Sequence, residues 1–295
     1  MRVPASTANL GSGFDVLGMA LSLHNTLEVE ETSGGVEITV EGEEAERLQM
    51  EGERSLIVRA AKAAYAHLGI KPPGLRIHLK NEIPVKRGLG SSATACVGGI
   101  VAAGELCGRP LSPEEILRLA LPLEGHPDNI TPSLVGGLTA TCLSGGEVRY
   151  LKIPTPSGIS VVAVIPERQL STAEARRALP DQVPLADAVY NVGRAALLVG
   201  AMVAGDLTLL DEATQDRIHQ PYRAKLLPGM EEVLEVGRRA GALAAFLSGA
   251  GSTLVALADQ QAESVGAEMV HAWARLGMKA KVKILSIDRE GAAVL

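Results

Sequence analysis

The spacing of apolar positions changes period many times along this chain, and the changes predict an alternation of strands and helices. Leu27 to Glu31 and Val36 to Val40 alternate apolar and polar, the pattern of half-buried strands, and Ser33-Gly34-Gly35 between them reads as a hairpin turn. Leu56, Ala60, Ala63, Ala64 and Leu68 fall on one face of a helix from Ser55 to Leu68, and Gly69 stops it. A short strand, Leu75 to Leu79, leads into a polar loop from Lys80 to Gly90. A run of small residues, Ala93 to Ala103, then suits a closely packed helix. Ser112-Pro113-Glu114-Glu115 carries the cap, the first-position proline and the acidic first turn of a further helix. Gly136 to Cys142 and Val148 to Ile153 read as strands.

Pro154-Thr155-Pro156-Ser157-Gly158 gathers turn formers between two apolar segments and marks the expected domain boundary, giving units 1–154 and 155–295. Beyond it, Ile159 to Ile165 predicts a buried strand. Helices follow at Leu185 to Ala204 and Gly229 to Ala240. Strands at Ala242 to Leu247 and Thr253 to Ala258 flank the glycine-rich Ser248 to Ser252. A helix from Gln261 to Leu276 and a strand from Lys281 to Ile287 complete an α+β pattern. A chain of 295 residues exceeds the usual size of one core, which also favours two domains.

Composition narrows the function classes. Aromatic residues make up 2% of the chain and the net charge is −6. So few rings and no basic excess argue against a nucleic-acid partner. Cys96, Cys107 and Cys142 have no metal-type spacing and cannot all pair, so a reducing cytoplasm and three buried small hydrophobes are expected. MRVPASTANLG lacks the apolar core of a signal peptide, and the apolar runs near Ala93 to Ala103 and Ala195 to Ala204 fall short of a bilayer span. No membrane partner is expected.

The chemistry concentrates in a few segments. Pro84-Val85-Lys86-Arg87-Gly88-Leu89-Gly90-Ser91-Ser92-Ala93-Thr94 joins a flexible glycine turn to the start of a helix. Free amides, hydroxyls and the positive helix end make such a turn a phosphate cradle. Lys86 and Arg87 add charge to stabilise a transferring phosphoryl group. Gly88 to Ala93 formally fits the dinucleotide fingerprint, but that motif must follow directly on a buried strand, and here a polar loop intervenes. The Gly-Lys-Ser/Thr of a Walker A loop is missing as well.

Glu124-Gly125-His126-Pro127-Asp128-Asn129 crowds polar groups into a broken segment. Glu124 could hold Mg²⁺, and Asp128 or Asn129 could orient an attacking hydroxyl. Asn9 and Asp15 lie on a glycine-rich turn near the start. Arg176 and Arg223 sit in two further turns, where a guanidinium could grip a carboxylate with two bonds.

Together with Leu247-Ser248-Gly249-Ala250-Gly251-Ser252-Thr253, these segments resemble the GHMP family of small-molecule kinases over nearly the whole chain. ASTANLGSGFDVLG, EGHPDN, STAEARRALP and HQPYRAKLLPG resemble the branch whose acceptor is L-homoserine. The resemblance implies a first domain like the second domain of ribosomal protein S5 and a ferredoxin-like second domain. It implies ATP over Pro84 to Thr94, with Gly249 and Gly251 nearby, and Mg²⁺ near Ser92 and Glu124. It implies an L-homoserine site at Asn9, Asp15, His126, Asn129, Arg176 and Arg223, and a homodimer. The residues agree with that acceptor: Asp15 suits an ammonium, the arginines a carboxylate, and Asn129 a neutral hydroxyl. Asn129 orienting the hydroxyl without a dedicated base is the favoured mechanism, with Asp128 as the alternative base.

Overall fold

The computed structural model describes residues 1–295, and its longest strand organises the N-terminal half. Strand β2 (Leu17–Thr32) pairs antiparallel with β1 (Arg2–Ala8), β4 (Gly74–Asn81) and β5 (Leu138–Ser144). β3 (Val36–Gly42) lies outside β4 and β6 (Glu147–Ile153) outside β5, closing a six-stranded sheet. The hairpin expected between Leu27–Glu31 and Val36–Val40 does not form. β3 runs parallel to β4, and β4 sits between it and β2. Alternation fixes which face of a strand is buried and leaves its neighbour open. Here the buried Leu75, Ile77 and Leu79 of β4 give both strands an apolar face to match.

Helices α2 (Leu56–His67), α3 (Ser91–Leu106), α4 (Pro113–Glu124) and α5 (Pro127–Val135) cover one face of this sheet, and the short α1 (Ala45–Gln49) follows β3. The small-residue run has a packing reason. A Cβ on Gly99 would stand 2.3 Å from the Ile57 carbonyl oxygen, so α2 and α3 meet backbone to backbone. Ser112 and Glu115 form the reciprocal cap that starts α4.

The C-terminal half is a four-stranded antiparallel sheet in the order β10-β7-β9-β8: β7 is Ser160–Pro166, β8 Ala244–Leu247, β9 Leu254–Ala258 and β10 Ala280–Ser286. α10 (Met230–Arg239) and α11 (Ala262–Arg275) pack on one face around Trp273. On the other face, Val161, Phe246 and Val255 meet Leu17, Met19 and Leu21 of the first sheet and Leu198 and Met202 of α7 (Leu185–Ala204). The halves therefore share a core. The short α6 (Thr172–Arg177), α8 (Leu210–Ala213) and α9 (Gln220–Arg223) lie near the junction. The last residues cross back past the expected boundary at Pro154: Leu21 bridges Ile287 and Arg2 bridges Ala293.

Two expectations are corrected. Cys96 is buried, but Cys142 is exposed near the end of β5. The apolar run around Ala195 to Ala204 continues upstream to Leu185 as one helix of 20 residues, long and apolar enough by length and composition to cross a membrane. Its inner side is committed to the core through Leu198, Ala201 and Met202.

Candidate active site

The loop from Pro84 to Thr94, the candidate phosphate cradle, is built by its carbonyls. Leu170 N donates to Lys86 O, Thr253 N to Arg87 O and Ser6 N to Leu89 O at 3.1–3.2 Å, and Ser248 Oγ donates to Gly88 O at 2.6 Å. Four successive carbonyls are thus turned away into both halves of the protein. The amides of Gly88 to Ser92 meet no acceptor and are left for a ligand. Gly88 and Gly90 are required here. Both have positive φ, and a Cβ would stand 2.1 Å from Ser248 O at Gly88 and 2.1 Å from Ser6 Oγ at Gly90. Gly90 begins α3 with no side-chain cap, so the helix start is open to an anion.

A cleft of about 390 Å³ runs from this loop to Asp15, Arg176 and Arg223. At the loop end, Ser92 Oγ donates to the Glu124 carboxylate, the last residue of α4. Burial pushes Glu124 up to about 7. At the far end, Arg176 grips Asp15 through both terminal nitrogens, at 2.6 and 2.8 Å. The buried Arg223 donates Nη1 to Gly249 O at 2.9 Å and Nε to Ala175 O at 3.4 Å, which leaves Nη2 without a protein acceptor. Burial, then repulsion from Arg176, lowers Arg223 to about 10, still charged at neutral pH.

Between the ends lies the N-terminus of α5. Asn129 Oδ1 accepts from Ser6 Oγ at 3.0 Å, and Asn129 Nδ2 donates to Asp128 Oδ1 at 3.3 Å, so the amide is held from both sides. Burial, then the Asp15 carboxylate, pushes Asp128 up to about 7. Burial and Arg176 hold His126 below the usual imidazole range.

The Asn9–Asp15 turn is strained and externally braced. Asn9, Leu10 and Asp15 all have positive φ. Asn9 Nδ2 donates to Gly249 O and its Oδ1 accepts Asp15 N, both at 3.0 Å. Ser12 Oγ donates to Ala213 O at 2.6 Å, and Asn191 Nδ2 donates to Ser12 O at 3.2 Å. His219 Nε2 lies 2.9 Å from Gly11 O and its Nδ1 lies 3.2 Å from Arg223 Nη1. A carbonyl only accepts and an arginine only donates, so His219 is neutral with its proton on Nε2. Burial, which lowers it to about 4, agrees.

Residues 55–137 match the family described as GHMP kinases N terminal domain, and residues 198–275 match GHMP kinases C terminal. The chain is 46% identical over 295 residues to a homoserine kinase of Moorella thermoacetica, covering 100% of this chain and 99% of that protein. It is 46% identical over 296 residues to a homoserine kinase of Caldicellulosiruptor saccharolyticus, covering 100% and 96%. A crystal structure of a homoserine kinase from Cytophaga hutchinsonii superposes with a TM-score of 0.91 at 29% identity, covering 100% of this chain and 96% of that one.

The chain belongs to the GHMP kinase family. The loop, Glu124, Asp128, Asn129, His126, Asn9, Asp15, Arg176 and Arg223 all line one cleft in this structure. Lys86 lines the cleft too and is exposed. Arg87 lines it but is anchored by Nη2 to Glu167 O at 2.7 Å, at the seam between the halves. The sequence reading missed the braces: Ser6, Asn191, His219 and Asp216. Asp216 accepts the amides of Ile218, His219 and Gln220 at 2.6–3.0 Å. Asn191, a buried amide on an apolar helix, was the one visible signal among them. A second cavity of about 180 Å³, lined by Leu27, Ile38, Val40, Leu48, Leu56 and Val85, reaches Ser91 and Ser92 from behind the loop. It draws on too many separate segments to leave a local signature.

Proposed function

We propose that this GHMP kinase transfers the γ-phosphoryl group of ATP to the side-chain hydroxyl of L-homoserine, giving O-phosphohomoserine and ADP, a step of threonine biosynthesis. The observation that carries the reading is one cleft with an amide cradle at one end and an Asp15–Arg176–Arg223 cluster at the other. The cradle suits phosphates. The cluster suits a zwitterion: Asp15 takes the ammonium, while Arg176 and the free Nη2 of Arg223 take the carboxylate. The nucleobase end of ATP belongs in the apolar cavity behind the loop.

Glu124 and Ser92 fit a magnesium site. They supply a carboxylate and a hydroxyl facing the loop, with no third acidic or imidazole ligand clustered beside them. That suits an ion that takes most of its ligands from phosphates and water. Bound there, Mg²⁺ supplies charge neutralisation at the phosphate oxygens. The protein does the rest by positioning. The amides of Gly88 to Ser92 hold the phosphates, and Lys86, the more exposed of the two loop cations, meets developing charge. Asn129, fixed by Ser6 and Asp128, orients the acceptor hydroxyl. A loose transition state puts little demand on a base, and the hydroxyl proton can leave late. The enzyme is proposed to work in the cytoplasm as a homodimer.

The test is ADP release with Mg-ATP and a panel of L-homoserine, mevalonate, shikimate and galactose. Turnover with homoserine and background rates with the others is expected. Preference for an acceptor without an ammonium group would overturn the substrate assignment while leaving the kinase fold in place.

A further inference from the structure

One imidazole joins the two charged parts of the acceptor end. His219 is fully buried and does not line the cleft, yet both of its ring nitrogens engage groups that shape it. Nε2 lies 2.9 Å from Gly11 O, on the turn that carries Asn9 and Asp15. Nδ1 lies 3.2 Å from Arg223 Nη1. Phe14 of the same turn stacks on the imidazole at 5.1 Å, with 22° between the two planes. The guanidinium groups of Arg223 and Arg176 lie 5.3 and 5.4 Å from that phenyl ring.

The imidazole is held from behind. Asp216 accepts the backbone amides of His219 and Gln220 at 2.9 and 2.6 Å, and Asn191 Nδ2 donates to the same carboxylate at 2.6 Å. Arg223 follows one turn later. Its N donates to His219 O at 3.0 Å, so the two side chains share one side of α9. The protons of Arg223 are then allotted. Nη1 uses both of its own on Gly249 O at 2.9 Å and on His219 Nδ1, and Nε uses its one on Ala175 O at 3.4 Å. Only Nη2 is left, and Arg223 lines the cleft. Without the Nδ1 acceptor, a proton of a buried cation has no partner and the guanidinium can turn towards another.

We propose that His219 is the positioning residue for carboxylate recognition. It presents Nη2 of Arg223 to the carboxylate of the acceptor and ties that group to the turn that carries Asp15. The inference rests on the amino-acid acceptor proposed above. It needs a neutral imidazole, because a second ring proton would point Nδ1–H at Nη1–H and set one cation against another. It also gives the site a way to read two charges together. The imidazole bridges their partners directly, through Gly11 O on the Asp15 side and through Nη1 on the arginine side. An acceptor that carries an ammonium alone uses Asp15 and gains nothing from His219. An acceptor with both charges uses both groups.

Steady-state kinetics with L-homoserine, together with competitive inhibition by 3-aminopropan-1-ol, test this in wild type, His219→Gln and His219→Asn. The amino alcohol is homoserine without its carboxylate, and as an inhibitor it need not turn over. Gln places a donor near the Nε2 position and has no acceptor at Nδ1. Asn places an oxygen at the Nδ1 position and loses the Nε2 donor. His219→Gln raises KM for homoserine about ten- to a hundredfold, the cost of one hydrogen bond to a charged group. Its kcat, its KM for ATP and its inhibition constant for the amino alcohol stay close to wild type. His219→Asn recovers most of the loss. Circular dichroism and thermal unfolding establish that each variant is folded. The wild type supplies a check that needs no variant: proton–nitrogen correlation NMR shows His219 with Nε2 protonated and Nδ1 bare at neutral pH. A ring protonated on Nδ1 overturns the proposal. Equal losses for homoserine and the amino alcohol in His219→Gln, or an Asn variant no better than the Gln variant, overturn it too and leave His219 a support of the turn alone. A wild type that fails to turn over homoserine, or binds the amino alcohol as tightly, overturns the amino-acid reading itself and the proposal with it.

Discussion

The two ends of the cleft are built from different materials. The phosphate end is main chain: amides of Gly88 to Ser92 aimed outward because four carbonyls are tied down behind them. The acceptor end is side chain: Asp15, Arg176, Arg223 and Asn129 arrive from four segments and are held by braces from both halves. The first end can serve any phosphoryl donor of the family, since amides read charge and shape. On the proposed reading the second end decides the acceptor, because only placed charges distinguish a zwitterion from a sugar or a hydroxy acid.

That contrast can be broken at several points. The largest effect is expected at the carboxylate of the loop end. Glu124→Ala loses on the order of 10²–10³ in kcat, the usual cost of one well-placed electrostatic group. Its thermal unfolding should stay close to wild type, which separates lost chemistry from lost fold. Near-normal turnover would remove Glu124 from magnesium binding.

At the acceptor end, Arg176→Ala removes charge-assisted bonds and lowers kcat/KM for homoserine about ten- to a hundredfold. KM for ATP should not move, and steady-state kinetics with each substrate varied in turn would show the split. An equal rise in both KM values would mean that the two ends are not separate.

At the phosphate end, Gly90→Ala forces a side chain into left-handed backbone 2.1 Å from Ser6 Oγ. The φ angle alone costs about 1–2 kcal/mol. KM for ATP should rise and the melting temperature fall by several degrees, as calorimetry and kinetics would record. Binding of homoserine in the absence of ATP should change little.

The smallest effect concerns pH. A carboxyl raised to about 7 is protonated below that pH and charged above it, so any step needing its charged form strengthens as pH rises. Both Glu124 and Asp128 meet that description. With Asn129 as orienter, the rising limb of kcat/KM belongs to Glu124. Asp128→Asn should then keep the limb and most of the rate, whereas Glu124→Gln should flatten it. A limb lost in Asp128→Asn would make Asp128 the base.

The same contrast explains what could be read from the chain. The loop was legible because backbone chemistry is local: two glycines, two serines and a helix start within a few residues suffice. Helices α2, α4 and α7 were legible from caps and spacing, as Ser55 and Ser112 show. β1 and the first half of β2 were not, because strands buried on both faces lose their alternation. The parallel placement of β3 against β4 was hidden as well, since partner choice depends on the whole sheet. Asp15 and Arg176 are separated by 161 positions in sequence, and family resemblance rather than local pattern linked them before the structure put them 2.6 Å apart. Their braces, His219 and Asp216 among them, look in sequence like any polar turn.

The most direct test of the account is the discrimination between L-homoserine and 4-hydroxybutyrate, which lacks the ammonium group, in wild type and Asp15→Asn. Wild type should favour homoserine by about a hundredfold or more in kcat/KM, because the analogue brings no ammonium to the Asp15 carboxylate. Asp15→Asn should collapse that ratio towards unity without altering KM for ATP. An unchanged ratio in Asp15→Asn would contradict the assignment of the acceptor end and with it the claim that this cleft recognises an amino acid.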